Sequence, residues 1–154
     1  MRPQKQPNIS ACLPTAFAMV TNKDVNDLIY NIGHTGLNKK YITDFPYQCF
    51  HIQEIIEVLN IEYSITEIIQ AFDFEGNLLP IGKHPNFKAR IWNYMRNYSG
   101  VLVRQASGPA HAFAWDHENV LLIDPVTGKE TLELGEPIIF WIVERRSEKV
   151  ISGN

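Results

Sequence analysis

Four side chains in this sequence have the types that acyl-transfer chemistry needs: Cys12, His111, Asp124 and Gln6. In that chemistry a sulfur attacks a carbonyl and an imidazole moves the proton. A carboxylate fixes the tautomer of the imidazole, and an amide N–H receives the developing oxyanion. Cys12 follows the turn-favouring stretch Gln6-Pro7-Asn8-Ile9-Ser10-Ala11 and opens the run Leu13-Pro14-Thr15-Ala16-Phe17-Ala18-Met19-Val20. The run predicts a helix starting at the cysteine, capped by Ser10 or Ala11. Pro14 is tolerated in its first turn because the N–H groups there have no intrahelical partners. A thiol at that end of a helix feels the positive pole of the dipole, which favours thiolate. A free cysteine is more often a small buried residue than a nucleophile, so the decision falls to its partners.

Those partners lie in a hairpin near the end of the chain. His111-Ala112-Phe113-Ala114-Trp115 and Asn119-Val120-Leu121-Leu122-Ile123 read as two strands joined by a tight turn at His117-Glu118. With the turn symmetric about those two residues, Asp116 faces Asn119 and the ladder runs back until His111 faces Asp124. Directly opposed residues hold their Cβ atoms about 4.5–5.5 Å apart on one face, which lets an imidazole and a carboxylate share a hydrogen bond. Asp116 lies an odd number of positions from His111 and so points to the other face. Pro125 has no N–H to give and ends the ladder. A slip of one residue would part the pair. Gln6 offers a side-chain amide for the oxyanion, with the Cys12 backbone N–H as second donor and Gln4 as the alternative. Taken singly, a strand histidine is a satisfied polar residue and an Asp before Pro is turn chemistry. Order, spacing and a shared face together point to a Cys12–His111–Asp124 set.

The elements that must position this set follow the same reading. Asp24 caps a helix over Val25–Ile32 that Gly33 ends. His34 to Tyr47 reads as a long loop, of the kind that borders a cleft. A helix covers Phe50–Leu59, a strand covers Ile61–Thr66, and a helix through Ile68, Ile69 and Phe72 follows. Turns stand at Glu75-Gly76-Asn77 and Pro80-Ile81-Gly82, before a helix over Phe87–Tyr98. Strands are expected at Val101–Arg104, Lys129–Leu134 and Ile138–Val143. Helices come first and strands second, which makes the class α+β, with an antiparallel sheet packed on the nucleophile helix. The whole is one domain, its core spanning about 6–144 and a polar tail covering 145–154.

Bulk composition narrows the partners. At 154 residues and 45% hydrophobic content the chain is long enough for one domain with a real core and too short for two comfortable ones. A net charge of −3 with mixed signs leaves no basic stripe for nucleic acid. No apolar stretch is long enough for a bilayer, and the N-terminus lacks the apolar segment of a secretory signal. With only Cys12 and Cys49, free thiols in a reducing, cytoplasmic setting are expected, a signal-independent export route being the alternative. Cys49 and His51 form a weak zinc pattern without a second ligand pair, so no metal is expected. His34, His84 and His117 read as solvated loop residues. Trp92, Tyr94, Met95 and Tyr98 have the spacing of a buried helical face or cleft wall.

Gln6 six positions before Cys12, then Cys-x-Pro-Thr-Ala-x-Ala-Met-Val, then a late His111 strand and Asp124-Pro125, resembles the papain-like superfamily. The resemblance is to its bacteriocin-processing, double-glycine leader peptidases and their stand-alone relatives, and it spans Gln6 to Pro125. It implies a helical lobe and an antiparallel β lobe with a cleft between them. It also implies a Cys12–His111–Asp124 site with Gln6 at the oxyanion hole. Two positions depart from the pattern: Leu13 stands where such relatives usually have glycine, and Ala110 precedes the histidine where glycine is frequent. The bulk of Leu13 bears on substrate choice. The expectation is a cysteine peptidase or related hydrolase that cleaves a peptide, isopeptide or other acyl bond in a peptide or protein substrate, without a cofactor. Acyl transfer to an amine at the same site, as in a transglutaminase, is one alternative. A catalytically silent binding module of the same fold is the other.

Overall fold

The computed structural model describes residues 1–37, 50–71, 77–105, 111–132 and 135–147. Helix α1, Cys12–Val20, begins at Ala11 with no side-chain cap, and buries Pro14 through Met19 almost all round. Helix α2, Val25–Ile32, is delimited as its sequence requires. Asp24 accepts the N–H groups of Asn26 and Asp27, and Gly33 closes it in the left-handed region at φ 100°. Helix α3, Ile52–Leu59, starts in a capping box in which the His51 ring and the Glu54 carboxylate exchange bonds with each other's backbone. Strand β1, Tyr63–Ile68, follows. A 3-10 turn at Pro80–Lys83 then leads into α4, Phe87–Asn97, and strands β2 (Gly100–Gln105), β3 (His111–Asp116), β4 (Leu121–Asp124), β5 (Lys129–Glu130) and β6 (Glu136–Arg145) complete the fold.

The strands form one antiparallel sheet in the order β1-β6-β2-β3-β4-β5. Its two faces carry two cores. On one, Phe17, Met19, Leu28, Ile55 and Leu59 from α1–α3 pack against Val101, Ala112, Ala114, Ile123 and Trp141. On the other, Phe87, Ile91 and Met95 of α4 pack against Leu102, Phe113, Trp115, Leu122 and Phe140. Strand β3 thus alternates small and large side chains. Its alanines face α1 and let that helix lie close, while its aromatics fill the space under α4. The Trp115 indole N–H donates to the Met95 carbonyl at 2.7 Å and ties α4 to β3. The arrangement is α+β, with α4 on the sheet face opposite the other three helices. No helix among the described residues is long and apolar enough to cross a membrane.

Several local expectations need correcting. Ile68, expected in a helix after the strand, is instead the last residue of β1, paired with Phe140, and Ile69 follows it at φ 53°, so the β-branched run outweighs the helical spacing there. Phe72 lies outside the described residues, as do 38–49 of the long loop, the Glu75-Gly76 turn residues, and Glu133 and Leu134 of the expected fifth strand. That strand is described at Lys129–Glu130. Strand β6 continues to Arg145, and Arg146 bonds the Asn60 carbonyl and side chain at 2.7 and 2.6 Å, so the ordered fold extends past residue 144. It also begins earlier than residue 6, because the Arg2 N–H donates to the Met19 carbonyl. His34 is not solvated: Nε2 meets Glu54 Oε2 at 2.7 Å, Nδ1 accepts the Gly36 N–H, and the ring stacks on Phe50.

Gly100 starts β2 where the backbone of β6 leaves no room. A Cβ at this position would lie 2.0 Å from the Trp141 carbonyl oxygen. Gly100→Ala therefore forces two paired strands apart. The expected cost is about 2–3 kcal/mol, which lowers the melting temperature by roughly 4–12 °C in a chain of this size. Thermal unfolding followed by circular dichroism checks it, and a loss within 1 °C would contradict the close approach.

Candidate active site

The His111–Asp124 pair forms, but not by the register expected from the sequence. The turn holds four residues, 117–120, with Val120 at φ 52°, and the ladder pairs Asp116 with Leu121 and Ala114 with Ile123. The register is displaced by two positions from a symmetric two-residue turn. An even displacement preserves the face. His111 and Asp124 are accordingly diagonal neighbours on one side of the sheet, and His111 Nε2 meets Asp124 Oδ1 at 2.8 Å. Asp116 faces the other way and organises the turn instead. Its Oδ1 accepts the N–H groups of Glu118 and Asn119, and its Oδ2 accepts the Asn119 amide.

Asp124 combines the pairing role with the turn chemistry of an Asp before Pro. The same Oδ1 that meets the imidazole accepts the Val126 N–H at 2.9 Å, and the Asp124 carbonyl accepts the Gly128 N–H at 2.8 Å. This Asx turn fixes the carboxylate before the histidine uses it. With Nε2 committed to Asp124, Nδ1 is the nitrogen left for the sulfur of Cys12.

Cys12 sits in the first turn of α1, half-buried and with a free thiol. Its sulfur has three neighbours that favour a negative charge: the His111 side chain, the backbone N–H of Ala112 and its own helix's Leu13 N–H. The β3–β4 ladder ends at Ala114, so the edge of β3 before it is open for the sulfur. Burial alone pushes the Cys12 thiol up. The hydrogen bonds from His111 and Ala112, the charge of the imidazole and the Leu13 N–H outweigh it and bring the thiol below its ordinary value. Burial likewise pushes His111 down, but hydrogen bonds to Cys12 and Asp124 and their charges raise it above the ordinary imidazole value. The two shifts have opposite sign on touching groups, and each favours the charged form, so both favour a thiolate–imidazolium pair over the neutral one. His111 and Asp124 side chains are 20% and 22% exposed, so the pair is sheltered yet open to solvent.

Gln6 lies on the loop entering α1. Its N–H donates to the Pro125 carbonyl at 2.7 Å, which joins this loop to the Asp124 turn. One Nε2 hydrogen goes to the Asn8 carbonyl at 2.9 Å, while Oε1 is buried with no hydrogen-bond partner among the described residues. Gln4 does not serve as the alternative donor. Its Nε2 donates to the Lys23 carbonyl and its Oε1 accepts the Val25 N–H at 2.8 Å, so both ends are committed to the α1–α2 junction. Leu13 packs against the core on the α1 side of the sheet. Ala110 and Cys49 lie outside the described residues, and His51 caps α3. No group of three His, Cys, Asp or Glu among the described residues is placed to hold a metal.

Sequence reasoning missed two contributors. The Ala112 N–H depends on where the ladder stops, which no side-chain pattern reports. Asn8 had a legible signal, an Asn two positions before Ser10. Its Oδ1 accepts the Ser10 N–H, and its Nδ2 reaches the Thr35 carbonyl at 2.9 Å. A separate apolar groove between α4 and β3–β5, lined by Trp92, Met95, Trp115, Leu122 and Leu132, contains none of the residues of this site.

The two aspartates should separate cleanly. Asp124→Ala removes a hydrogen bond and a charge that raise His111, so the imidazole should titrate at lower pH in an NMR titration while the protein stays folded. Asp116→Ala should leave that titration unchanged and cost about 0.5–1.5 kcal/mol of stability, since it removes the acceptor of the part-buried bonds that close the turn. Equal effects of both on His111 would contradict the division of roles.

No family model matches this chain, and no curated protein or solved structure matches it.

Proposed function

We propose that this chain is a papain-like cysteine hydrolase that cleaves a peptide, isopeptide or related acyl bond in a peptide or protein substrate. The observation that carries the reading is the continuous contact from Cys12 through His111 to Asp124, with the thiol shifted down and the imidazole up. Structural cysteines in apolar surroundings shift the other way.

In this reading the Cys12 thiolate adds to the substrate carbonyl carbon, and the carbonyl π electrons move onto oxygen. The Cys12 N–H and the second Nε2 hydrogen of Gln6 receive that oxyanion. On collapse the C–N bond breaks, the His111 imidazolium gives its Nδ1 proton to the leaving amine, and a thioester remains. Neutral His111 then takes a proton from water, hydroxide adds to the thioester, and the acid leaves as the thiolate re-forms. Asp124 stays ionised throughout and holds the ring by Nε2.

Iodoacetamide labelling tests the nucleophile without knowledge of the substrate. Cys12 should alkylate rapidly below the ordinary thiol range, which begins at about pH 8.5. The rate should fall only as pH drops through the lowered thiol value, because protonation there removes the thiolate. It should not fall again at higher pH, since loss of the His111 proton does not return a proton to the sulfur. His111→Ala should move the midpoint up towards an ordinary thiol. A sluggish Cys12 indifferent to His111 would sink the enzyme and leave the binding module.

A panel of peptide and ubiquitin-like substrates then tests the reaction. Hydrolysis should vanish in Cys12→Ala and drop by roughly 10²–10⁴-fold in Asp124→Ala. Turnover that survives Cys12→Ala would locate the chemistry elsewhere.

A further inference from the structure

His111 has a third neighbour that its proton chemistry does not use. Phe113, fully buried two residues along β3, meets the imidazole edge to face, with centroids 4.7 Å apart and planes at 85°. The guanidinium carbon of Arg104 lies 4.1 Å from the centroid of the same Phe113 ring. Arg104 is the β2 residue directly opposite His111, and Leu102 is opposite Phe113, so all four belong to one face of the sheet. At 9% exposure, Arg104 is a buried charged residue that reaches across the ladder to cover an aromatic face. Gly135 closes over it: a Cβ there would lie 2.7 Å from Arg104 Cδ and 3.0 Å from Nη1. The arginine has little room to withdraw from the ring.

This stack supplies what the hydrogen bonds leave undetermined. Rotation of an imidazole about its last side-chain torsion is broad and roughly two-fold. The Nε2–Asp124 bond anchors one corner, and the contact at Nδ1 changes as the proton moves during turnover. A perpendicular aromatic ring limits the swing of the imidazole plane whichever protonation state it holds. Phe113 has the same torsional freedom, and a cation held against its face restrains it in turn.

We propose that Arg104 and Phe113 are positioning residues that set the plane of the His111 imidazole between Cys12 and Asp124, a role that rests on the hydrolase reading above. Arg104 acts through Phe113, and Phe113 acts through the imidazole ring it meets.

The test uses the full chain, iodoacetamide as the probe of Cys12, and nitrogen-15 NMR of His111 at alkaline pH, where the ring is neutral. In the wild type a single tautomer, Nε2–H, is expected because that hydrogen bonds Asp124. Phe113→Leu keeps every charge, so it isolates positioning from Coulomb effects. It should give a mixture of tautomers and an alkylation rate at pH 6.5 lower by about tenfold, the scale set by loss of reactant alignment. Arg104→Met should do the same to a smaller degree, and Arg104→Lys, which keeps a cation over the ring, should recover the single tautomer and most of the rate. Folded Phe113→Leu and Arg104→Met proteins with wild-type tautomer and rate would overturn the proposal. Should Arg104→Met not fold, the comparison of Phe113→Leu with Arg104→Lys still decides it. The underlying reading fails separately, through a wild-type rate that His111→Ala leaves unchanged.

Discussion

The site exists because two groups on opposite sides of a sheet meet where a strand begins. Helix α1 packs on the alanine face of β3, whereas His111, Phe113 and Trp115 point to the α4 face. Alternation of side chains would keep a helix on one face from ever touching a histidine on the other. The exception is a strand end, and His111 is the first residue of β3. The β3–β4 ladder stops at Ala114 and Ile123, so the edge of β3 between His111 and Ala112 is open to the tip of α1. There the sulfur contacts both the ring and the Ala112 N–H.

Burial penalises each charge of the pair separately, and the geometry offsets both penalties at once. The sulfur gains three hydrogen-bonding neighbours and the imidazole gains two. A buried charge is stabilised only when its partners are fixed beforehand, since ordering them at the moment of need costs free energy. The fixing is local. Asp124 is held by the Val126 N–H, and the loop before Cys12 is held by Asn8 bonding Ser10 and Thr35. Gln6 links the two turns through the Pro125 carbonyl. Turn chemistry and site chemistry are carried by the same atoms, so neither can change alone.

Much of this is legible in the sequence. Helix α2 is bracketed by Asp24 and Gly33, residues whose side chain and left-handed backbone do the capping. The start of α1 at Cys12 follows from a polar turn ahead of an apolar run. Element type failed where two periodicities overlapped, as at Ile68, because strand pairing with Phe140 is a long-range interaction that a local window does not contain. The contacts of His34 are hidden from a local window for the same reason: Glu54 and Phe50, which cover it, are distant in sequence.

The sequence by itself determined which residues could do chemistry, that His111 and Asp124 share a sheet face, and that Asp116 is excluded from it. Residue type decides the first and parity alone the other two, and parity survives the two-residue displacement of the hairpin. Tertiary structure decided the rest. The four-residue turn made the pair diagonal, because the backbone of 117–120, with Val120 at positive φ and Asp116 collecting its N–H groups, closes differently from a two-residue turn. The ladder's end admitted the sulfur, and the Arg104–Phe113 stack came to lie beside the imidazole. Each depends on how far a strand pairs and what packs above it. Those quantities are set by the balance of contacts across the whole sheet, which no stretch of residues contains on its own.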